Sequence, residues 1–122
     1  MIYHITGRSN WANAQATGLY RAHSLESEGF IHCSSRDQIL LVANSMFRGE
    51  GNLLILCIEE SELGSQVLWE APVHPNASSK PPATDDVSFP HVYGPIEVAA
   101  VKKVADLVEG DSGFGLPADL QK

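Results

Sequence analysis

The chain has 122 residues, enough for one domain around one hydrophobic core, and its apolar fraction of 43% with a charged fraction of 19% excludes a disordered chain. The net charge is −7 and the eight basic residues are scattered, so a partner of duplex nucleic acid is not expected. No apolar run approaches the roughly 18 residues of a membrane helix, and the opening residues lack the features of a cleavable signal, so a cytoplasmic protein without a membrane partner is expected.

The first six residues predict a strand, because apolar side chains alternate along them. A short helix is predicted to begin near Trp11, with Ser9 or Asn10 as its cap, and to end at Gly18. Trp11 is expected in the core, where it would cover one end of the sheet. A short strand is predicted near residues 19–22.

Residues 29–38 predict a strand that runs directly into a helix. Phe30, His32 and Ser34 share one face of that strand, because successive side chains point to opposite faces. Ile31 and Cys33 share the other face and are predicted to be the core pair. His32 then points into a cleft.

The helix after this strand is the best-defined element in the sequence. Ser35 and Gln38 fit the S-x-x-Q capping box, apolar residues recur at helical spacing over residues 35–47, and Gly49 and Gly51 end the pattern. A junction of this kind offers backbone N–H groups and the positive end of a helix dipole. It therefore suits an anion such as a phosphate.

The second half of the chain predicts more strands. Residues 53–58 form a continuous apolar run typical of a central, two-sided strand, and residues 67–70 predict a short strand with Trp69 in the core and Glu70 on the opposite face. The remaining predictions are a long proline-rich surface loop at residues 71–88, an extended segment at 89–93, a further strand within 96–108 and a surface tail at 109–122. Together these elements predict one α+β domain over residues 1–122, with one main and one short helix beside a mainly antiparallel sheet.

Three histidines lie at comparable places in three predicted strands. Each has a hydroxyl residue two positions further on, so histidine and hydroxyl share a strand face and could line a common cleft. A single histidine on a strand is more often structural, but three together favour a site. The candidate catalytic residues are His4, His32, His91 and Glu70, and the candidate ligand-binding residues are Thr6, Ser34, Ser35 and Tyr93.

Other chemistries are less well supported by the sequence. Three histidines could hold zinc, but the H-x-x-x-H pair that fixes two ligands on a helix is missing, so no metal is expected. Ser34 could act as a nucleophile, although no G-x-S-x-G elbow is present. Cys33 and Cys57 both lie in apolar runs and are predicted to be buried free thiols.

Four blocks of the sequence carry a resemblance to a known family. They are Ile2-Tyr3-His4-Ile5, Gly29-Phe30-Ile31-His32-Cys33-Ser34, Trp69-Glu70 and Phe89-Pro90-His91-Val92-Tyr93-Gly94-Pro95. Over nearly the whole chain they resemble the bacterial domain-of-unknown-function family nine-five-two. That family is similar in fold to the ADP-ribosyltransferase superfamily, which includes the tRNA 2′-phosphotransferases and the poly-ADP-ribose polymerases.

The resemblance implies an ADP-ribosyltransferase-like split sheet and a small nucleotide ligand: NAD as a possible substrate, ADP-ribose or a related nucleotide. Tyr3-His4 would take the place of the first superfamily motif, and His32-Cys33-Ser34 with residues 35–47 that of the second. The third block has His91 where many members have a glutamate. ADP-ribosyl or phosphoryl transfer is therefore one implied activity, and a non-catalytic nucleotide-binding module is the alternative. A histidine-dependent metal hydrolase is the third hypothesis.

Overall fold

Two three-stranded antiparallel sheets form the framework of the protein. The computed structural model describes residues 1–71, 88–117 and 120. In chain order its elements are β1 (Ile2–Gly7), α1 (Arg8–Thr17), β2 (Leu19–Tyr20), α2 (His23–Ser27), β3 (Ile31–His32), α3 (Ile39–Met46), β4 (Leu53–Ile58), β5 (Val67–Glu70), β6 (Phe89–Val92), β7 (Ile96–Glu97), β8 (Val101–Leu107), β9 (Glu109–Gly110) and β10 (Gly113–Phe114), with 3₁₀ turns at Glu60–Glu62 and Val98–Ala100.

The strand order is β1-β4-β8 in one sheet and β3-β6-β5 in the other, with two smaller pairs, β2-β7 and β9-β10. Strand β4 is central and all six of its residues are buried, which confirms the two-sided strand predicted from its apolar run. The α+β class with mainly antiparallel sheets is likewise confirmed. The finer prediction of an ADP-ribosyltransferase-like split remains a prediction.

A backbone bridge between Tyr3 and Ser34 joins the two sheets. The Tyr3 N–H donates to the Ser34 carbonyl at 2.8 Å, and the Ser34 N–H donates to the Tyr3 carbonyl at 2.7 Å. Directly opposed residues of an antiparallel pair point to the same side. The side that carries Tyr3, Ser34, His32 and His91, here named the front face, therefore continues from one sheet onto the other.

The opposite side, the back face, carries Ile2, His4, Ile31 and their strand partners and packs against Trp11 of α1. The front face of the β1-β4-β8 sheet packs against Ile39 and Ala43 of α3. The predicted core positions of Trp11, Ile31 and Cys33 are confirmed by their burial.

Two burial predictions were wrong. Trp69 is 46% exposed, because β5 is an edge strand of its sheet. The side of β5 that carries Trp69 is less covered than the same side of a central strand. The predicted surface tail begins with the β9-β10 hairpin, and Phe114 and Leu120 are buried beside α3. The Asn44 side chain holds this segment by accepting from the Phe114 N–H at 2.8 Å.

The helix boundaries also differ from the prediction. Helix α1 begins at Arg8 and has no side-chain cap from Ser9 or Asn10, whereas Gly18 ends it as predicted, at φ 89°. Helix α3 begins at Ile39, and the short helix α2 was not predicted. Within residues 1–71, 88–117 and 120, no helix has the length and apolar character needed to cross a bilayer. The predicted loop at 71–88 lies almost entirely outside the described residues.

Candidate functional site

An aromatic and histidine cluster occupies the front face of the β3-β6-β5 sheet. The Phe30 ring stacks on the His91 ring, with centroids 4.2 Å apart and planes 20° apart. The His32 ring stands edge-on to His91 at 5.4 Å, and Tyr93 lies 5.3 Å from Phe30. Because His32 and His91 are register partners on β3 and β6, the sheet itself fixes their proximity.

Glu70 connects this cluster to the edge strand β5. Its Oε1 accepts a hydrogen bond from His91 Nδ1 at 2.8 Å and another from the Tyr93 hydroxyl at 2.5 Å. These two bonds, the one from Tyr93 first, hold the pKa of Glu70 below its ordinary value. The same carboxylate raises the pKa of Tyr93, which keeps the phenol protonated as a donor.

His91 is 1% exposed, yet its Nε2 has no hydrogen-bond partner among the described residues. An unpaired buried polar atom costs stability, so it needs an explanation. The Nδ1–H of His91 donates to Glu70, so in the neutral ring Nε2 carries the lone pair. The arrangement is a base held in one tautomer by a carboxylate, with its Nε2 buried beneath the front-face cluster.

His32 is more open than His91 and has a different carboxylate partner. Its side chain is 40% exposed, and its Nε2 donates to the Glu28 carboxylate, whose two oxygens both lie at 3.2 Å. Glu28 directly follows α2 and lies four residues before His32. The front face therefore carries two adjacent histidines, each oriented by its own glutamate.

The structure places His4 and Thr6 apart from this cluster, on the back face. The buried His4 ring donates from Nδ1 to the His32 backbone carbonyl at 2.6 Å, and burial lowers the pKa of His4 to about 4. His4 is thus neutral, and its Nε2, 2.7 Å from the Tyr20 hydroxyl, accepts from it. The Tyr20 hydroxyl oxygen is also hydrogen-bonded to Thr6 Oγ1, at 2.8 Å. The side chains of His4, His32 and His91 do not share one cleft.

The predicted anion junction at Ser34 and Ser35 has fewer free donors than its sequence suggests. The Ser34 N–H is used in the bridge to Tyr3. The Ser35 N–H donates to Gln38 Oε1 at 2.8 Å, and the Gln38 N–H donates to Ser35 Oγ at 3.3 Å. These are the two reciprocal bonds predicted for a capping box, but they lie in the turn before α3, whose N-cap is Gln38 and not Ser35. Ser34 is also 3% exposed. The ligand-binding roles of both serines stay predictions.

Three contributors to these networks were missed by sequence reasoning: Glu28, Phe30 and Tyr20. Phe30 was assigned to the right strand face, but its stacking on His91 depends on the pairing of β3 with β6. Glu28 could have been found from its position four residues before His32, but only with the knowledge that α2 ends at Ser27. Tyr20 lies on β2, whose pairing with β7 was not predicted.

The described residues contain no group of three His, Cys, Asp or Glu side chains placed to hold a metal ion. Each front-face histidine is instead paired with one carboxylate. Cys33 and Cys57 are buried thiols that form no disulfide, as predicted. Burial raises the pKa of the Cys33 thiol, which makes it a poor nucleophile.

Comparisons with known proteins agree with the resemblance to the domain-of-unknown-function family. Residues 5–104 match the family described as "Protein of unknown function (DUF952)". The crystal structure of protein CC0527 from Caulobacter crescentus is 33% identical, with a TM-score of 0.78 over 97% of this chain and 95% of that one. The solution NMR structure of CC0527 is also 33% identical, with a TM-score of 0.71 over 93% and 89%.

A double mutant of CC0527 gives a third crystal structure, 32% identical with a TM-score of 0.78 over 97% of this chain and 95% of that one. No curated protein matches the sequence. The family match covers most of the chain and the structural match nearly all of it. This chain belongs to the DUF952 family of proteins of unknown function.

Proposed function

We propose that this protein binds a nucleotide of the NAD or ADP-ribose class on the front face and catalyses a group transfer in which His91 accepts the proton. The observation that carries the proposal is the buried His91 ring, with Nδ1 held by Glu70 and Nε2 without a partner in the described chain. The nucleotide class follows from the resemblance to the ADP-ribosyltransferase superfamily, to which the sequence blocks around His32 and His91 correspond.

The proposed step uses the geometry of the Glu70–His91 pair. Because His91 Nε2 is buried in the free protein, the step requires the ligand to displace the side chains that cover it. An acceptor hydroxyl then gives its proton to His91 Nε2 as its oxygen bonds to the ribose carbon or to phosphorus, and the bond to the leaving group breaks. Glu70 then stabilises the imidazolium through Nδ1. Tyr93 supports the pair because its hydrogen bond favours the ionised form of Glu70. This chemistry requires no metal ion.

His32 supplies the second polar group of the proposed site. Because its Nε2 donates to Glu28, its Nδ1 carries the lone pair in the neutral ring and can accept a hydrogen bond from a ribose hydroxyl. The side chains of His32 and Tyr93 are both part-exposed, so their rings are accessible to the flat face of a base or a nicotinamide.

A non-catalytic nucleotide-binding module is the second candidate. The feature that favours it is the third sequence block, in which His91 stands where many superfamily members have a glutamate. In that case Glu70 and His91 would fix the shape of a binding surface without moving a proton.

Thermal-shift titration followed by a nicotinamide-release assay tests these candidates. A nucleotide that binds the folded state must raise the melting temperature, and we expect NAD or ADP-ribose to do so. His91→Gln should abolish release, whereas His23→Gln, at an exposed position on α2, should leave it unchanged.

A melting-temperature rise without nicotinamide release favours the binding module. No rise with any nucleotide would overturn both. Release that is lost on adding EDTA would overturn the metal-free mechanism.

A further inference from the structure

The framework of two joined sheets has two outer strands, β8 and β5. The bridge between Tyr3 and Ser34 joins the sheets at β1 and β3, so these two strands lie inside the framework. Within residues 1–71, 88–117 and 120, no strand pairs with the outer side of β8 or of β5. An outer strand presents a row of unpaired backbone N–H and C=O groups, and proteins usually protect such an edge from pairing with another chain.

Strand β8 carries this protection, whereas β5 does not. Exposed Lys102 and Lys103 lie on β8, and a β-bulge interrupts its ladder with β4. Charged side chains and bulges both discourage edge-to-edge pairing. Strand β5 has the sequence Val-Leu-Trp-Glu, without lysine or proline, and its register with β6 is regular. Its one charge, on Glu70, is held by His91 and Tyr93.

The hydrogen-bond pattern shows which backbone groups of β5 face outward. The Tyr93 N–H donates to the Gln66 carbonyl at 2.8 Å, just before β5 begins. Bonded and non-bonded pairs alternate along an antiparallel ladder, so Leu68 also bonds to β6. The N–H and C=O groups of Val67 and Trp69 therefore point away from β6, toward the outer side of the sheet.

The side chains of β5 are apolar where they are most exposed. Leu68, opposite His91 on the front face, is 38% exposed. Trp69, on the back face, is 46% exposed. Outward backbone groups together with exposed apolar side chains on both faces are the features of an edge that accepts a further strand.

We infer that β5 pairs antiparallel with β5 of a second copy of this chain, in the register that places Leu68 opposite Leu68 of the partner subunit. In this register Val67 and Trp69 oppose the partner's Trp69 and the partner's Val67, and each pair exchanges both of its outward N–H···O bonds. All the outward groups of β5 are thereby used within the strand itself. Each Trp69 lies beside a valine, and such aromatic and β-branched pairs stabilise a sheet.

The strand is complementary to itself in charge as well, which selects a second copy as its partner. Glu70 opposes the partner subunit's Gln66, an exposed neutral residue, so no like charges meet. Both described hydrogen bonds to Glu70 fall on Oε1, so its Oε2 can accept one from the amide of the partner's Gln66. The dimer thus adds a support to the carboxylate that orients His91. The inference stands on the edge geometry and does not depend on the proposed function.

Disulfide trapping tests the register. The Cα atoms of a non-hydrogen-bonded pair lie about 4.5 Å apart, within the range that a disulfide spans. Leu68→Cys should therefore form a disulfide-linked dimer under mild oxidation, whereas Val104→Cys should stay monomeric. Val104 is the matched control, because it is 36% exposed on the other outer strand, β8. The native Cys33 and Cys57 are buried and do not compete.

Sedimentation equilibrium measures the dimer without a cross-link. One short strand pair gives a small interface, so we expect a Kd of about 100 μM and a monomer at low micromolar concentration. Leu68→Lys should weaken association about tenfold or more, because two ammonium groups would meet across the pair. Val104→Lys should leave the Kd unchanged. Far-UV circular dichroism checks that each variant is folded.

The outcomes decide between this interface and its absence. Wild-type protein that remains a monomer at about 1 mM, ten times the expected Kd, would overturn the dimer. A dimer of folded Leu68→Lys with unchanged Kd, or equal cross-linking of Leu68→Cys and Val104→Cys, would show that β5 is not the contact. Cross-linking of Leu68→Cys alone, together with loss of the dimer in Leu68→Lys, supports the β5 interface and its register.

Discussion

Glu70 and His91 are diagonal neighbours across strands β5 and β6, and His91 Nδ1 donates a hydrogen bond to Glu70 Oε1 at 2.8 Å. Leu68, not Glu70, lies directly opposite His91, and Glu70 lies opposite Phe89. A diagonal separation suits a long side chain, which reaches along the sheet to the ring. The relationship fixes the His91 tautomer without a group from any other layer of the fold.

The Glu70–His91 bond should therefore control the proposed chemistry. Replacing Glu70 with Gln keeps the shape but removes the charge that stabilises a protonated His91, and it allows the wrong tautomer. By analogy with the carboxylate of catalytic triads, we expect kcat to fall about 10⁴-fold. The ¹⁵N chemical shifts of the His91 ring should also move, which reports the tautomer without an activity assay.

Glu26→Gln is the matched control for this variant, because Glu26 is an exposed glutamate on α2. It should change neither kcat nor the His91 ring signals. Unchanged ring signals in Glu70→Gln would show that Glu70 does not set the tautomer.

Tyr93→Phe should raise the pKa of Glu70 while leaving the His91 ring in place. The Tyr93 hydrogen bond is the largest cause of the lowered pKa of Glu70. Without it that pKa rises toward its ordinary value, so the carboxylate is lost at a higher pH than in the wild type. The acid limb of the kcat/KM profile should move upward in the same direction. A ¹³C titration of the Glu70 carboxyl measures the shift, and identical midpoints in both proteins would contradict the assignment.

The buried His4 network should make stability depend on pH. The folded-state pKa is lowered from 6.5 to about 4, so between these values the unfolded chain binds more protons than the folded one. Stability from this group is complete above the unfolded pKa and falls as pH drops toward 4. The loss amounts to about 3 kcal/mol across the window. Urea unfolding at several pH values should reveal the slope.

His4→Gln should flatten that slope, whatever its effect on stability at neutral pH. His23→Gln removes an exposed histidine and should leave the slope as it is in the wild type. An equal slope in His4→Gln and wild type would mean that His4 does not titrate in the window.

Alternation along a strand predicted which residues share a face of that strand. It did not predict on which side of the assembled sheets that face would lie. Phe30, His32 and Ser34 were correctly grouped against Ile31 and Cys33. The position of His4 was not predictable in this way, because it depends on the bridge that joins β1 to the segment after β3. That contact joins residues 3 and 34, and no local pattern encodes it.

Burial was hardest to predict where it depends on the order of strands. Nothing local distinguishes the edge strand β5 from a central one, so Trp69 was placed in the core. Conversely, the Gly- and Pro-containing C-terminal segment was predicted to lie on the surface. Its Phe114 packs in the core cluster that includes Ile39 and Ala43 of α3, and its backbone N–H donates to Asn44 of the same helix. Both are long-range contacts.

The two tryptophans of the chain should respond very differently to truncation. Trp11 is 8% exposed and packs in the back-face core, so Trp11→Ala should cost about 3 to 5 kcal/mol of unfolding free energy. Trp69 is 46% exposed on an edge strand, so Trp69→Ala should cost about 1 kcal/mol or less. Each variant serves as the control for the other, since both delete the same side chain. Urea denaturation followed by circular dichroism measures both values. Equal losses would mean that Trp69 is covered in solution, which would contradict its exposed position on β5.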